Sequence, residues 1–301
     1  MTLESGQAEE RTPHQKDDLV ADLRRIGVEP GGVLLVQSSL SKVGPVDGGV
    51  RTVVEALLDV VGRGNGTLVA YTGTPENSLS SPAHHQRTRR LRGAGLRRFL
   101  RRMPPFDPLR TRCSPSMGQL SEAIRTARGA IRSTHPQTSF AAIGPLASHI
   151  VGTHPLESHL GESSPLGRLY ELDAKVLLVG LPSSKFTPYH LAEYGVDQPP
   201  RCFYATKVPG PAPGTRRWQV FQGVDLDDRV FPELGAAVQE KVTFDTGVLG
   251  DADCFLVPLV PAVDAAANWM TERQNARLRS GSPPERSRRL GRGCAPASLL
   301  R

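Results

Sequence analysis

The stretch 175–181, KVLLVGL, is apolar without polar alternation, which predicts a strand covered on both faces. Pro182 and the pair Ser183–Ser184 break it. A short helix is expected from about Thr187–Pro188, with Thr187 as cap and Pro188 in the first turn. On that helix His190 and Glu193 stand three residues apart and share one face. An imidazole and a carboxylate just beyond the carboxyl end of a buried strand lie where open α/β sheets place their ligands. His190 and Glu193 are therefore the candidate catalytic pair.

Working outward, VLLV (33–36) reads as a second buried strand and runs directly into QSSLS (37–41). Before it, His14–Ile26 carries Leu19, Val20, Leu23 and Ile26 at helical spacing and stops at Gly27 and Pro30–Gly31. After it, Gly48–Val61 is an amphipathic helix, and Gly64–Asn65–Gly66 turns the chain into a strand at Thr67–Thr72. Alternating helices and strands imply parallel strands and right-handed crossovers. Further on, Ser116–Arg128 predicts a helix and Thr138–Ile143 a strand. Arg201–Val208 and Arg216–Phe221, joined by PGPAPG (209–214), predict an antiparallel hairpin that makes the sheet mixed. Val230–Lys241 reads as a helix, Cys254–Val260 as a strand and Pro261–Gln274 as a closing helix. The fold expected is α/β: three α/β/α layers around a central mixed, largely parallel sheet.

A chain of 301 residues suits one large domain, placed at 13–274, with a disordered polar lead-in at 1–12 and a basic disordered tail at 275–301. No apolar run is long enough to span a membrane and the first residues lack a hydrophobic core, so a cytoplasmic protein without membrane contact is expected. Cys113, Cys202, Cys254 and Cys294 are scattered, which argues against a disulfide framework or a thiolate zinc site. His149, His154 and His159 recur every fifth residue, but that step turns a helix through about 500°, so successive members diverge. No metal site is expected.

The net charge of +7 is unevenly divided: residues 87–112 carry +9, residues 271–301 carry +6, and the remaining chain carries −8. An acidic body suits a polycationic small molecule better than nucleic acid. The arginine-rich segments keep a nucleic-acid-binding module as the alternative from another class. Residues 74–116 read as a variable, lid-like insertion, and Gly93 and Gly95 weaken any helix across 84–103. A mobile solvated loop is expected there, with contact to nucleic acid as one alternative for its arginines.

SPLGRLYELDAKVLLVG (164–180) followed by HLAEYGVD (190–197) resembles the aminoglycoside 3-N-acetyltransferases, which move an acetyl group from acetyl-CoA to an amine of 2-deoxystreptamine antibiotics. QSSLSKVGPVDGG (37–49), STHPQTSFAAIGP (133–145) and DTGVLGDADCFLVPLV (245–260) fit the same family in the same order. Met103–Pro108 resembles its proline-rich lid, although the preceding arginine run departs from it. The resemblance implies acetyl-CoA as cosubstrate, with Ser38, Ser39, Leu40 and Ser41 along the pantetheine channel. It also implies that Ser133, His135 and Ser139 help hold the CoA arm. Contact to the 3′-phosphate of CoA is the other alternative for the arginines of 84–103. Arg132 has a planar fork suited to a phosphate. Gln37 stands where many members carry histidine, which questions a second acid/base role there.

The chemistry starts from the acceptor. A protonated amine has no lone pair to attack a thioester, and histidine is the side chain suited to remove its proton near neutral pH. His190 is the expected base, and Glu193 would fix its tautomer. Backbone N–H groups of the 37–41 loop would receive the oxyanion. Transfer is expected to be direct, because no cysteine sits in an activating motif. Glu76, Asn77, Tyr189 and Asp197, near presumed strand ends, are the candidate contacts for an aminoglycoside. Another small amine is the alternative acceptor.

Overall fold

Residues 12–280 are described by the structure, a computed structural model; the disorder expected at 1–11 and 281–301 lies outside them. Helix α1 (Lys16–Ile26) carries Asp17 and Asp18 in its first turn and Arg24 and Arg25 in its last, matching the helix dipole. Gly27, at φ +98°, ends it. Strand β1 (Val33–Ser38), helix α2 (Val50–Val61) and strand β2 (Thr67–Tyr71) follow as expected. The turn into β2 requires Gly66, since a Cβ there would stand 2.0 Å from the Val61 carbonyl oxygen. Next come α3 (Pro82–Thr88), α4 (Gly93–Arg102), α5 (Gly118–Thr126), β3 (Ile131–Arg132), β4 (Phe140–Ile143), α6 (Ala147–Val151) and α7 (Pro165–Glu171). The deciding strand is β5 (Lys175–Val179), followed by α8 (Tyr189–Ala192). The chain continues through β6 (Arg201–Pro209), β7 (Arg216–Val224), α9 (Phe231–Lys241), β8 (Asp245–Leu249), β9 (Ala252–Pro258) and α10 (Leu259–Arg279).

Seven strands form the main sheet in the order β3-β4-β2-β1-β5-β9-β8. Its centre, β2-β1-β5, is parallel, and the flanking pairs are antiparallel. Successive residues of β1 and β5 serve opposite cores. Val33, Leu35, Val176 and Leu178 join one cluster with residues of α6, α7, α9 and α10. Leu34, Val36, Leu177 and Val179 join another with residues of α1, α2 and α5. Helices on both faces explain why these strands show no polar alternation. Each fully buried Leu or Val contributes about 1.5–3 kcal/mol of burial.

Three expectations need correction. The hairpin β6–β7 is a separate two-stranded sheet, so the main sheet is mixed because of β3, β4, β8 and β9. Helix α4 forms despite Gly93 and Gly95: Gly93 opens it at φ +48°, and Leu100 and Met103 bury against Leu79 and Ala205. Tertiary packing outweighs the glycine penalty. Helix α10 continues past Gln274 to Arg279, where disorder was expected. Among the described residues no helix is long and apolar enough to cross a membrane.

Candidate active site

Ser38, the last residue of β1, pairs with Val179, the last of β5, so the segments that follow both strands leave the sheet side by side. The Ser39 N–H donates to the Val179 carbonyl at 2.9 Å, and Leu40–Lys42 then forms a 3₁₀ turn. On the other side the chain passes through 180–188 to α8. Gln37 joins the two. Its amide nitrogen donates to the Lys185 carbonyl at 2.9 Å and to Thr187 Oγ1 at 2.6 Å, and its oxygen accepts the Thr187 N–H at 3.1 Å. Thr187 is therefore held by Gln37 and does not cap α8, whose N-cap position is Pro188.

His190 and Glu193 meet. His190 Nδ1 is 2.7 Å from Glu193 Oε2, and Glu193 Oε1 accepts the Asp227 N–H at 2.8 Å. Burial raises the Glu193 pKa, against the lowering effect of His190 and the Asp227 N–H. With Nδ1 engaged by a carboxylate, Nε2 is the nitrogen left for chemistry. The imidazole packs on Phe231, with ring centroids 4.7 Å apart, and lines a cavity of about 430 Å³ together with Gln37, Ser38, Ser116, Thr187 and Asp228. Ser38, Ser116 and Leu181 also line a neighbouring cleft of about 590 Å³, whose wall includes Ser39, Leu40 and Ser41. The base and the serine loop thus open onto adjoining spaces. Ser38 Oγ is buried without a protein partner, a hydroxyl left for a ligand.

The second group of candidates lies elsewhere. Arg132 spends its fork on the protein: Nε donates to Thr72 Oγ1 and Ser139 Oγ at 3.1 and 3.0 Å, and NH2 to the Thr72 carbonyl at 2.6 Å. NH1 donates to the Thr111 carbonyl at 2.5 Å, and the guanidinium covers the Phe106 ring. It is not available to a phosphate. Ser133, His135 and Ser139 are fully buried and line neither cleft. His135 Nδ1 accepts the Gln137 and Thr138 N–H groups at 3.1 Å, which leaves Nε2–H to donate to the Leu156 carbonyl at 3.2 Å. Ser133 bridges the Phe140 N–H and His154 Nδ1. These residues brace the loops around β4. The rings of His154 and His159 each lie 4.6 Å from His135, a convergence that fivefold spacing along the chain did not suggest. Among the described residues, no group of histidines, cysteines and carboxylates has a geometry to hold a metal ion.

The acceptor candidates divide as well. Glu76 lines a third cavity, of about 740 Å³ beneath α3 and α4, and accepts the Ser114 hydroxyl at 2.5 Å. Asn77 borders it, but its amide is used by the Pro136 and Lys207 carbonyls and the Lys207 N–H. Tyr189 is buried in the core between Phe186 and Phe231, because one helical step turns it about 100° from His190. Asp197 is exposed and lines none of these cavities; its carbonyl accepts from Gln274. The carboxylate that does border the His190 cavity is Asp228, which sequence reasoning passed over because it follows no motif and no buried strand.

Residues 35–271 match the family model described as aminoglycoside 3-N-acetyltransferase. The chain belongs to that family. This acetyltransferase is 36% identical over 278 residues to aminoglycoside N(3)-acetyltransferase VIII of Streptomyces fradiae, covering 87% of this chain and 93% of that one. It superposes on the crystal structure of YokD from Bacillus subtilis with a TM-score of 0.78 at 33% identity, over 86% of this chain and all of the other. A solved structure titled AAC-IIIb binary with CoASH matches at a TM-score of 0.74 and 29% identity, over 87% of this chain and 98% of that one. The acetyltransferase is an α/β acyltransferase whose homologues act on aminoglycosides.

Proposed function

We propose that this acetyltransferase passes the acetyl group of acetyl-CoA directly to the 3-amino group of a 2-deoxystreptamine aminoglycoside, with His190 as general base. The observation that carries this is the 2.7 Å contact of His190 Nδ1 with Glu193, beside a cavity that adjoins the serine loop. Nε2 takes a proton from the acceptor ammonium, and the freed lone pair attacks the thioester carbonyl. A C–N bond forms as the carbonyl becomes an oxyanion. Collapse breaks the C–S bond and releases the CoA thiolate, which takes the imidazolium's proton, while the surplus proton on the newly acylated nitrogen passes to solvent. Glu193 stabilises the charged ring.

The Leu40 and Ser41 N–H groups, at the start of the 3₁₀ turn, are suited to the oxyanion, whereas the Ser39 N–H is spent on Val179. Ser38, Ser39, Leu40 and Ser41 would line the pantetheine arm. Asp228 is the carboxylate that borders the His190 cavity, and it is suited to an acceptor ammonium group. With a metabolic thioester as donor, the reaction belongs to the cytoplasm. The test is release of free thiol from acetyl-CoA on mixing with a panel of aminoglycosides. No release with any member would overturn the reading.

A further inference from the structure

The cavity of about 740 Å³ beneath α4 has a lining that the acetyl-transfer reading does not use. Arg87, Arg102 and Arg112 border it, together with the rings of Phe99 and Phe106. Glu76 is its one lining carboxylate, and one of its oxygens is already taken by the Ser114 hydroxyl. Arg102 has no ion-pair partner among the described residues. Arg112 approaches Glu122 only at 3.5 Å, because that carboxylate is gripped by Arg125 and the Cys113 N–H. Arg87 lies over the Phe99 ring at 5.4 Å.

Helix α4 also stacks Arg97 over Arg101 and Arg98 over Arg102, like charges one turn apart that oppose helix formation. Its inner side is nonetheless fixed by Leu100 and Met103, packed on Leu79, Ala205 and Trp218. The chain thus holds concentrated positive charge rigidly over a cavity with aromatic walls. A polycation would be repelled there. A flat aromatic base bearing phosphates would be matched on both counts.

We propose that this cavity binds a nucleotide, with Arg87, Arg102 and Arg112 on its phosphates and its base packed against Phe99. As a free-nucleotide site it stands apart from the acetyl-transfer reading; as a site for the donor's 3′-phosphate it deepens that reading and rests on it. Two sources share this chemistry: the phosphoadenosine half of CoA, and a free nucleotide. Pro115 lines both this cavity and the serine-loop cleft, so the two spaces adjoin.

The test is calorimetric titration of the full chain with adenosine 3′,5′-bisphosphate, CoA and dephospho-CoA, using adenosine as a control. Arg87→Gln and Arg102→Gln serve as variants, since both side chains are exposed and their loss should leave melting behaviour unchanged. Saturable binding of the bisphosphate is expected, weakened about tenfold by each substitution, with none for adenosine. Parallel weakening of CoA but not dephospho-CoA would assign the site to the donor's 3′-phosphate; unaltered CoA affinity would assign it to a free nucleotide. The proposal is overturned if the bisphosphate does not bind, or binds the double variant as tightly as the parent. Binding of long single-stranded oligonucleotides alone would also overturn it, in favour of an extended nucleic-acid surface.

Discussion

Glu193 divides its carboxylate between two neighbours: Oε2 holds His190 Nδ1 at 2.7 Å and Oε1 accepts the Asp227 N–H at 2.8 Å. One side chain therefore orients the base and anchors the turn that carries Asp228 to the edge of the same cavity.

Replacing His190 with Ala should lower kcat by about 10²–10⁴-fold while leaving CoA affinity nearly unchanged, measured by thiol release and by titration. Glu193→Gln should fall between parent and His190→Ala, because the amide fits the space but cannot stabilise an imidazolium. A His190→Ala protein as fast as the parent would remove the base assignment.

Gln37 makes three hydrogen bonds to Lys185 and Thr187, on the segment that delivers α8. Gln37→Ala should lower kcat about tenfold by loosening that segment. The shape of the pH–rate profile should stay the same, since no titrating group is lost. A changed profile would instead give Gln37 a part in proton transfer.

Burial lowers the pKa values of His135, His154 and His159, to about 4 for His154 and about 3 for His159, from an ordinary 6.5. Unfolded, these rings take up protons as pH falls through 6.5, whereas folded they stay neutral until near their depressed values. Stability is thus greatest above about 6.5 and declines toward pH 4, by about 1.4 kcal/mol per pH unit for each ring. Glu193, raised by burial, works in the opposite direction, but as one group against three. Urea unfolding at pH 7, 6 and 5 should show a midpoint that falls steadily. A flat midpoint would contradict the account.

Arg132 tests whether the 132–139 cluster serves structure or cofactor. Burial lowers its pKa to about 10, and its donors reach Thr72, Thr111 and Ser139. Arg132→Lys cannot reproduce the fork and should cost about 2–4 kcal/mol of stability without raising the KM for acetyl-CoA. A raised KM in a stably folded protein would return the residue to the phosphate role.

The last turn of α10 brings Arg277 and Leu278 to a cavity of about 280 Å³ whose opposite wall includes Glu193. A chain ending at Ser280 should keep full activity. One ending at Gln274 should melt about 2–4 °C lower, because this wall is lost. Equal melting temperatures would show that the turn adds nothing.

The parts of the fold readable from sequence were those set by uninterrupted apolar runs and by stop residues. The strands β1 and β5, the helices α1 and α2, and the pairing of His190 with Glu193 follow from local pattern. What local pattern does not carry is long-range closure. β8 alternates weakly because it is an edge strand, with Asp245, Thr246 and Val248 exposed. Tyr189 and Arg132 carry suitable chemistry at suitable chain positions, yet the core claims the first and three backbone carbonyls claim the second. The histidines at 135, 154 and 159 meet only because separate loops fold over β4. Asp228 reaches the cavity through the turn that Glu193 pins, a relationship between residues 35 apart in the chain.

The hairpin β6–β7 shares no strand with the main sheet, but it is bonded to the insertion: the Leu79 N–H donates to Ala205, the Phe106 N–H to Lys207, and Asn77 to Lys207. Leu100, Met103 and Trp218 give the pair a small core of its own. The insertion and hairpin thus rest on a core apart from the two that hold β1 and β5, so substitutions on the outer face of α4 can change its charge without shifting the strands that aim His190.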